Sequence, residues 1–310
     1  MKILYMGTPQ SSAEVLNALI TSPHHVVGVV TQEDQRSGRG RHLTPPPVKV
    51  VAIANSLPLY QPERLTPEFL EELRTLKPDV VVVVAYGRIL GADYLTLAPH
   101  GCINVHYSLL PAYRGAAPVQ HALLQGDTTT GVSIMALDVG MDTGPVYAQT
   151  PVAIDPTDTT ALLLPKLNTV GIQSLLEVLS RLEAGTIAAE AQTGVATYAG
   201  KIDKADGKVS KEKTALQLYH MWQAYTPWPG LYFYFDDSLQ TKCSILACAI
   251  AAITIEKPVG TLLTADGHLY LVAADQSVLE ITQLQIAGKN PMSANDFLNG
   301  YGKYLGNVVY

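Results

Sequence analysis

The sequence predicts an α/β protein whose first part is a doubly wound, mostly parallel sheet and whose last part is a small β domain. Residues 3–6 form an apolar run, followed by a glycine turn, a helical pattern and a second apolar run, the order that opens such sheets. Residues 80–84 are five successive valines, typical of a strand that is buried on both faces. Short alternating runs after residue 230, separated by turns, favour a small barrel or sandwich.

Helical patterns lie between the predicted strands. Thr66 and Pro67 form a typical helix start, an N-cap followed by proline at the first helical position, and they predict a helix over residues 68–76. Pro165 should kink the long helix of the first part or delay its start. The further helical patterns cover residues 13–20, 48–55, 162–182 and 214–224.

Length, charge and cysteine usage bound the class of protein. The 310 residues suffice for two domains, and a polar stretch without periodicity divides them, so we expect a first domain over residues 1–185, a linker over 186–206 and a second domain over 207–310. The net charge of −6 indicates that any polyanion is met by a local patch. The three cysteines lack metal-ligand spacing, and no signal sequence or membrane-length run is evident, so we expect a cytoplasmic protein without metal or membrane partner.

The candidate site lies between residues 102 and 144. Asn104, His106 and Ser108 alternate with apolar residues, so on a strand their side chains share one face. Residues 131–137 are a second strand candidate, and the glycine-flanked loop after it carries Asp142. Parallel strands that end side by side should bring this carboxylate to the same carboxyl edge, where open α/β sheets place their ligands.

The chemistry that these side chains suit is acyl transfer to a nucleophile that the substrate supplies. Asn104 and a protonated His106 could donate to the oxyanion of a tetrahedral intermediate, while Asp142 orients the imidazole or passes a proton. The sequence has no GxSxG elbow, no Walker A sequence, no HExxH and no complete dinucleotide fingerprint, which disfavours a serine hydrolase, a P-loop NTPase, a zinc enzyme and an NAD enzyme. Each residue taken alone is more typical of a structural role, and it is the three together that favour a site.

A basic segment interrupts the first domain. Between residues 36 and 49 it carries four positive charges and no acid, and it is rich in glycine and proline, so we expect no regular element there. A solvated surface loop and a mobile arm for a phosphate backbone are both compatible with it. A second basic run, from Lys201 to Lys213, is open to the same two interpretations.

Several motifs together resemble the 10-formyltetrahydrofolate-dependent formyltransferases. The motifs are residues 104–111 (NVHYSLLP), 114–118 (RGAAP) and 138–144 (DVGMDTG). The basic segment, residues 227–230 (PWPG) and residues 287–292 (AGKNPM) narrow the resemblance to the enzymes that formylate initiator methionyl-tRNA. This resemblance implies a Rossmann-like formyltransferase domain followed by an OB-like barrel, the co-substrate 10-formyltetrahydrofolate, a charged tRNA partner and a monomer.

The resemblance also assigns residues. The implied catalytic residues are Asn104, His106 and Asp142. The implied folate-binding residues are Ser108, Leu109, Leu110, Pro111, Tyr86, Gly87, Ile89, Asp138, Val139 and Gly140. The implied tRNA-binding residues are Arg36, Arg39, Arg41, Lys49 and Lys208. Two departures from the family pattern are Gln10-Ser11-Ser12 after the first turn and Tyr107, whose side chain should find room behind the site.

Three alternatives stay open at this point. A glycinamide ribonucleotide formyltransferase would share the candidate trio but should end near residue 200. A sugar-nucleotide formyltransferase could keep a barrel-like second domain but should lack the basic segment. A non-enzymatic RNA-binding module with a degenerate first domain is disfavoured by the intact trio.

Overall fold

The computed structural model describes residues 1–37, 42–235 and 240–309. The chain forms two compact units. The first contains Met1–Pro118, Thr129–Ala153 and Leu164–Ala199, and the second contains Val119–Thr128, Ile154–Leu163 and the described residues from Gly200 onward. Residues 186–199 of the predicted linker therefore lie in the first unit, where β11 (Tyr198–Ala199) pairs with β8 (Arg114–Gly115).

The first unit is built on a seven-stranded sheet in the order β10-β9-β7-β6-β1-β2-β5. Its strands are β1 (Lys2–Gly7), β2 (His25–Val30), β5 (Leu59–Tyr60), β6 (Val80–Val84), β7 (Cys102–His106), β9 (Thr129–Ala136) and β10 (Val146–Ala153). The five strands from β5 to β7 are parallel, whereas β9 and β10 are antiparallel to their neighbours. The valine run forms β6 and is almost completely buried, as its composition predicted.

The helices up to residue 183 are α1 (Gln10–Ile20), α2 (Pro47–Ala54), α3 (Pro67–Arg74), α4 (Ala92–Leu95), α5 (Pro118–Gln125) and α6 (Thr160–Glu183). Apart from Pro118, α5 belongs to the second unit, as do residues 160–163 of α6. The predicted cap of α3 is present, because the Thr66 hydroxyl accepts a hydrogen bond from the Phe69 N–H. The long helix α6 begins at Thr160 and continues through Pro165, so the predicted late start is wrong.

Helix α6 is long and apolar enough to cross a membrane by length and composition alone. The same property is found in core helices of soluble proteins, and Leu163, Leu167 and Leu175 of this helix are completely buried. The helix therefore indicates no membrane by itself.

The basic segment contains more structure than the sequence predicted. Residues Gln35–Ser37 (β3) and His42–Thr44 (β4) pair as antiparallel strands. The expectation of no element was wrong for these residues, because the glycines and prolines flank two three-residue stretches that can extend and pair. Residues 38–41, with Arg39 and Arg41, lie outside the described residues.

The second unit is rich in antiparallel strands, which confirms the predicted small β domain. The strands β12 (Leu231–Tyr234), β13 (Lys242–Thr254), β16 (Ser277–Ile286), β15 (His268–Val272) and β14 (Leu262–Ala265) follow one another in this order across its sheet, and β17 (Met292–Ser293) also pairs with β16. Its remaining helices are α7 (Ala215–Tyr225) and α8 (Ala294–Gly300).

The two departures from the family pattern are accommodated by packing. The Tyr107 hydroxyl donates to Asn168 Oδ1 at 2.7 Å, and Asn168 belongs to α6 behind the sheet. The Ser12 hydroxyl donates to the Val84 carbonyl at 2.8 Å and is completely buried. Ser12 therefore ties α1 to β6, and Tyr107, which directly follows β7, packs against α6 and finds room behind the site as expected.

Candidate active site

A cavity of about 430 Å³ lies at the carboxyl edge of the sheet, beside the ends of β6 and β7. It is lined by Asn104 of β7, by residues drawn from 83–95 and by the loop of residues 137–142. Asn104 stands opposite Val83 in the register of β6 and β7. Open α/β sheets place ligands at this edge, so the cavity is the natural candidate for a substrate site.

Large apolar side chains at this cavity are unusually exposed. Ile89 is 89% exposed, Val139 is 84% exposed and Met141 is 62% exposed. Exposed apolar side chains gathered at a cavity mark a binding surface more often than chance exposure does. They are suited to cover the faces of a flat, partly apolar ring.

Asp142 reaches the cavity by a different route from the predicted one. Strand β9 runs antiparallel to β7, with Ile103 opposite Ala136 and His106 opposite Ser133, so the end of β9 lies at the start of β7. The expectation of parallel strands ending side by side was therefore wrong. The loop after β9 turns back along β7, which brings Asp142 to the cavity.

The backbone of this loop has the features that so sharp a return requires. Asp142 has a φ of 52°, in the left-handed region that few non-glycine residues adopt. A Cβ at Gly144 would lie 1.9 Å from the Ala136 carbonyl oxygen, so only glycine fits there. Asp138 Oδ1 accepts hydrogen bonds from the Gly140 N–H and the Thr143 hydroxyl, which closes the first half of the loop.

His106 and Asp142 form a buried pair. Nδ1 of His106 lies 3.7 Å from Asp142 Oδ2, and the two side chains are 5% and 15% exposed. Nε2 of His106 lies 3.0 Å from the Tyr113 carbonyl oxygen. Because a carbonyl only accepts, Nε2 carries the hydrogen, and in the neutral ring the Nδ1 lone pair then faces the carboxylate. The contact becomes attractive only when a proton lies between the two groups.

The pKa of His106 is lowered, chiefly because burial penalises the charged ring; the Asp142 carboxylate and the Tyr113 carbonyl oppose this effect. Both ring nitrogens face partners inside the protein. His106 is therefore connected to the cavity through Asp142, and direct donation to an oxyanion would require the ring to leave Tyr113.

Asn104 places a side-chain amide at the cavity. Its side chain is partly exposed and lines the cavity, and within the described part of the chain its amide has no hydrogen-bond partner. An unengaged amide beside a carboxylate can donate to a developing oxyanion without first breaking a contact.

The structure brings some of the predicted folate-binding residues together and not others. Tyr86, Gly87, Ile89, Asp138, Val139 and Gly140 line the cavity. Ser108, Leu109, Leu110 and Pro111 do not: Ser108 is completely buried and donates to the Ala112 carbonyl, and Leu110 lines a separate cavity of about 320 Å³. Their contact with folate stays a prediction.

Sequence reasoning missed several groups at the site. Leu137 lines the cavity and lies outside the residues that the resemblance assigned to the folate pocket. The Gly115 N–H donates to Asp142 Oδ2 at 2.7 Å. The Gln192 amide donates to the Asp142 carbonyl at 2.8 Å, and no local pattern in the predicted linker indicated this contact.

The predicted tRNA-binding residues have different surroundings. Arg36 is exposed in β3. Lys49 Nζ lies 2.8 Å from Asp34 Oδ1 and 2.9 Å from Oδ2, so its charge is already paired. Lys208 belongs to the second unit, where its ammonium lies 5.8 Å from the centre of the Tyr234 ring. No cluster of His, Cys, Asp and Glu that could hold a metal occurs among the described residues.

The fold and the geometry of the site together indicate a class of reaction. A parallel α/β sheet that presents an amide donor beside a carboxylate and imidazole pair is suited to acyl transfer. Residues 1–179 match the formyl transferase family, and residues 201–302 match the C-terminal domain of formyl transferases. The chain belongs to the formyl transferase family.

Solved structures share this fold at low sequence identity. An N-formyltransferase from Helicobacter canadensis, in complex with folinic acid and dTDP-3-aminofucose, is 16% identical with a TM-score of 0.66, over 91% of this chain and 98% of that chain. HypX from Aquifex aeolicus, in complex with tetrahydrofolic acid, is 15% identical with a TM-score of 0.63, over 98% of this chain and 48% of that chain. A phosphoribosylglycinamide formyltransferase from Bacillus halodurans is 24% identical with a TM-score of 0.50, over 59% of this chain and 95% of that chain.

Proposed function

We propose that this chain transfers the formyl group of 10-formyltetrahydrofolate to the α-amine of initiator methionyl-tRNA. The observation that carries formyl transfer is the meeting of the Asn104 amide and the Asp142 carboxylate in one cavity, with His106 behind the carboxylate. The family match supports the reaction class. Solved proteins of this fold in complex with folinic acid or tetrahydrofolic acid support the one-carbon donor.

The exposed apolar side chains at the cavity fit the ring system of the folate. Ile89 and Val139 lie on the two segments that line the cavity, the turn after β6 and the loop after β9. A pterin ring held between them would place the adjoining N10, which carries the formyl group, toward Asn104 and Asp142, which line the same cavity. Burial of the ring also excludes water, which would otherwise compete with the amine.

The reaction begins with the neutral α-amine, whose reference pKa of about 7.7 to 8.0 leaves a substantial neutral fraction near neutral pH. The amine nitrogen bonds to the formyl carbon, and the Asn104 amide donates to the oxygen that becomes negative. Asp142 accepts the proton that the attacking nitrogen loses. The bond from the formyl carbon to the folate nitrogen then breaks, and that nitrogen takes up the proton and the electron pair, which releases tetrahydrofolate and the formamide.

His106 supports Asp142 in the proton transfer. When Asp142 holds the proton, Nδ1 of His106 is the acceptor that faces it, and Tyr113 keeps the ring in the tautomer that makes this possible. The proton therefore stays within the pair until the folate nitrogen needs it. The lowered pKa of His106 favours return of the proton, because the buried ring does not retain it.

The tRNA acceptor is supported by the basic segment and by the motifs of the second unit. Arg36, Arg39 and Arg41 fall within six residues of sequence, in a chain with a net charge of −6. Lys49 contributes less to this segment than its sequence position predicts, because Asp34 neutralises it. We further propose that the protein acts as a cytoplasmic monomer. Sedimentation of the purified chain tests whether it is a monomer.

An amino-sugar nucleotide is the second candidate acceptor. The Helicobacter canadensis N-formyltransferase, in complex with dTDP-3-aminofucose, matches over nearly the full length of both chains. The two-domain layout is therefore compatible with either acceptor. The basic segment favours tRNA, since a single nucleotide does not need a row of arginines to be bound.

The test is a competition between acceptors. The protein receives formyl-labelled 10-formyltetrahydrofolate with methionyl-initiator tRNA, glycinamide ribonucleotide or a dTDP-amino sugar, and the label in each product is measured. We expect label on methionyl-tRNA with a kcat/KM at least about a hundredfold above the others, the range in which built contacts discriminate substrates. Preferred labelling of the amino sugar would contradict the tRNA acceptor and favour an amino-sugar nucleotide as the substrate.

A salt titration tests the basic segment separately. Arg39→Ala should weaken tRNA binding and reduce the slope of log affinity against log salt by about one, since one phosphate contact is lost. Lys49→Met serves as the matched control and should leave the slope unchanged, because Asp34 already pairs this charge. Equal slopes for the wild-type chain and Arg39→Ala would make the segment an ordinary surface loop.

A further inference from the structure

The side chain of Gln192 makes an unusual set of contacts with the candidate site. Its Nε2 donates to the carbonyl oxygens of Asp142 and Gly144, each at 2.8 Å. Its Oε1 accepts from Arg114, at 3.1 Å from Nε and 2.7 Å from Nη2. The amide therefore uses both donors and both lone pairs, which fixes its orientation.

These contacts close a ring around Asp142. The carboxylate is held by the Gly115 N–H, and the next residue toward the N-terminus, Arg114, holds Gln192, which in turn holds the carbonyl of Asp142. Strand β8 contains both Arg114 and Gly115 and is itself paired with β11. The main chain and the side chain of Asp142 are thus fixed by one frame.

The loop needs this frame because its own backbone does not favour the observed conformation. Asp142 is in the left-handed region, and the hydrogen bonds of Asp138, from the Gly140 N–H and the Thr143 hydroxyl, engage neither the Asp142 carbonyl nor the Gly144 carbonyl. Without Gln192 these two carbonyls and a guanidinium lose their partner, and the backbone of residues 142–144 can relax. The carboxylate would then move from Nδ1 of His106 and from the incoming amine.

We propose that Gln192 is a positioning residue that holds the Asp142 carboxylate in its reactive place. This inference rests on the proposed formyl transfer, in which Asp142 carries the proton. Gln192 lines the neighbouring cavity rather than the candidate cavity, so it acts through Asp142 and not on the folate. The segment predicted as a linker then contributes to catalysis by fixing the loop of another element.

The main variant is Gln192→Met, which keeps the length of the side chain and adds no charge. Gln149→Met is its matched control, because Gln149 also donates two hydrogen bonds through Nε2, to the Leu110 carbonyl and to Ser133 Oγ, without contacting Asp142. We expect Gln192→Met to lower kcat about tenfold to a hundredfold, as small displacements of catalytic groups do, with the acceptor KM within about threefold. An unchanged kcat would overturn the inference.

A double-mutant cycle separates positioning from general damage. In an Asp142→Asn background, Gln192→Met should lower kcat by less than about a further twofold. The effect of Gln149→Met on kcat should be the same in the wild-type and Asp142→Asn backgrounds. Equal losses from Gln192→Met in both backgrounds would mean a structural role only. If Gln192→Met fails to fold, Gln192→Glu replaces it, since it keeps the acceptors for Arg114 and lacks the two donors.

A readout that needs no turnover is the imidazole titration of His106, followed by NMR and assigned with a His106→Gln variant. Because Asp142 raises the pKa of His106 against the effect of burial, its displacement should lower that pKa further. Gln192→Met should lower it and Gln149→Met should not; an unchanged titration in Gln192→Met would overturn the inference. A wild-type chain that formylates none of the three acceptors contradicts the proposed function instead.

Discussion

Replacement of Asp142 by Asn probes the acid and base chemistry with the least change in shape. In the wild-type protein the Gly115 N–H donates to Asp142 Oδ2 at 2.7 Å. The amide oxygen of Asn can still accept this hydrogen bond, while the negative charge and the ability to take up a proton are lost. The side chain is only 15% exposed, so bulk water cannot readily substitute for the carboxylate. A positioned general acid or base contributes about 10²- to 10⁴-fold, which corresponds to about 3 to 5 kcal/mol of the barrier.

The assay is single-turnover formyl transfer to methionyl-tRNA, measured together with folate affinity by fluorescence. We expect the rate of Asp142→Asn to fall by this factor while folate affinity changes less than about threefold. Asp138→Asn, in the same loop, should lower the rate less than about tenfold, because the amide oxygen of Asn can still accept from the Gly140 N–H and the Thr143 hydroxyl. A rate within threefold of wild type would remove Asp142 from the proton path.

Three further outcomes follow from the same structure. Asn104→Ala should lower kcat about 10²- to 10³-fold through loss of an oxyanion donor, with folate affinity nearly unchanged; a loss confined to KM would contradict this role. Tyr107→Phe should lower the free energy of unfolding by about 1 to 3 kcal/mol, because buried Asn168 Oδ1 loses its donor, and an unchanged denaturant midpoint would contradict the contact. Because the pKa of His106 is lowered below its usual 6.5, stability should fall as pH drops from about 6.5 through the folded-state pKa, and His106→Gln should flatten this part of the pH profile; identical profiles would exclude His106 as its source.

Much of the fold could be predicted because its signals are local. The valine run of β6 is buried as its composition requires, and the Thr66 cap begins a helix where the pattern of hydroxyl and proline places it. The small β domain was recognisable from its short alternating runs. Each of these signals is contained within ten residues or so, where backbone preference and side-chain periodicity act together.

The arrangement of the site depended on contacts that are distant in sequence. The direction of β9 relative to β7 is set by strand pairing, and alternation within each strand carries no information about it. Gln192 lies 50 residues from Asp142, in a stretch without periodicity. The charge of Lys49 is paired with that of Asp34, 15 residues away, and the sequence of the basic segment alone does not indicate this contact.

In the proposed mechanism the one-carbon unit lies between Asn104 and Asp142. A crystal structure with 5-formyltetrahydrofolate, whose formyl group is attached at the wrong nitrogen for transfer, shows where the folate binds. We expect the ring beside Ile89 and Val139, with N10 within about 4 Å of Asn104 Nδ2 or the Asp142 carboxylate, close enough for one hydrogen bond after small adjustment. A folate bound instead in the cavity lined by Leu110 and Glu190 would contradict it.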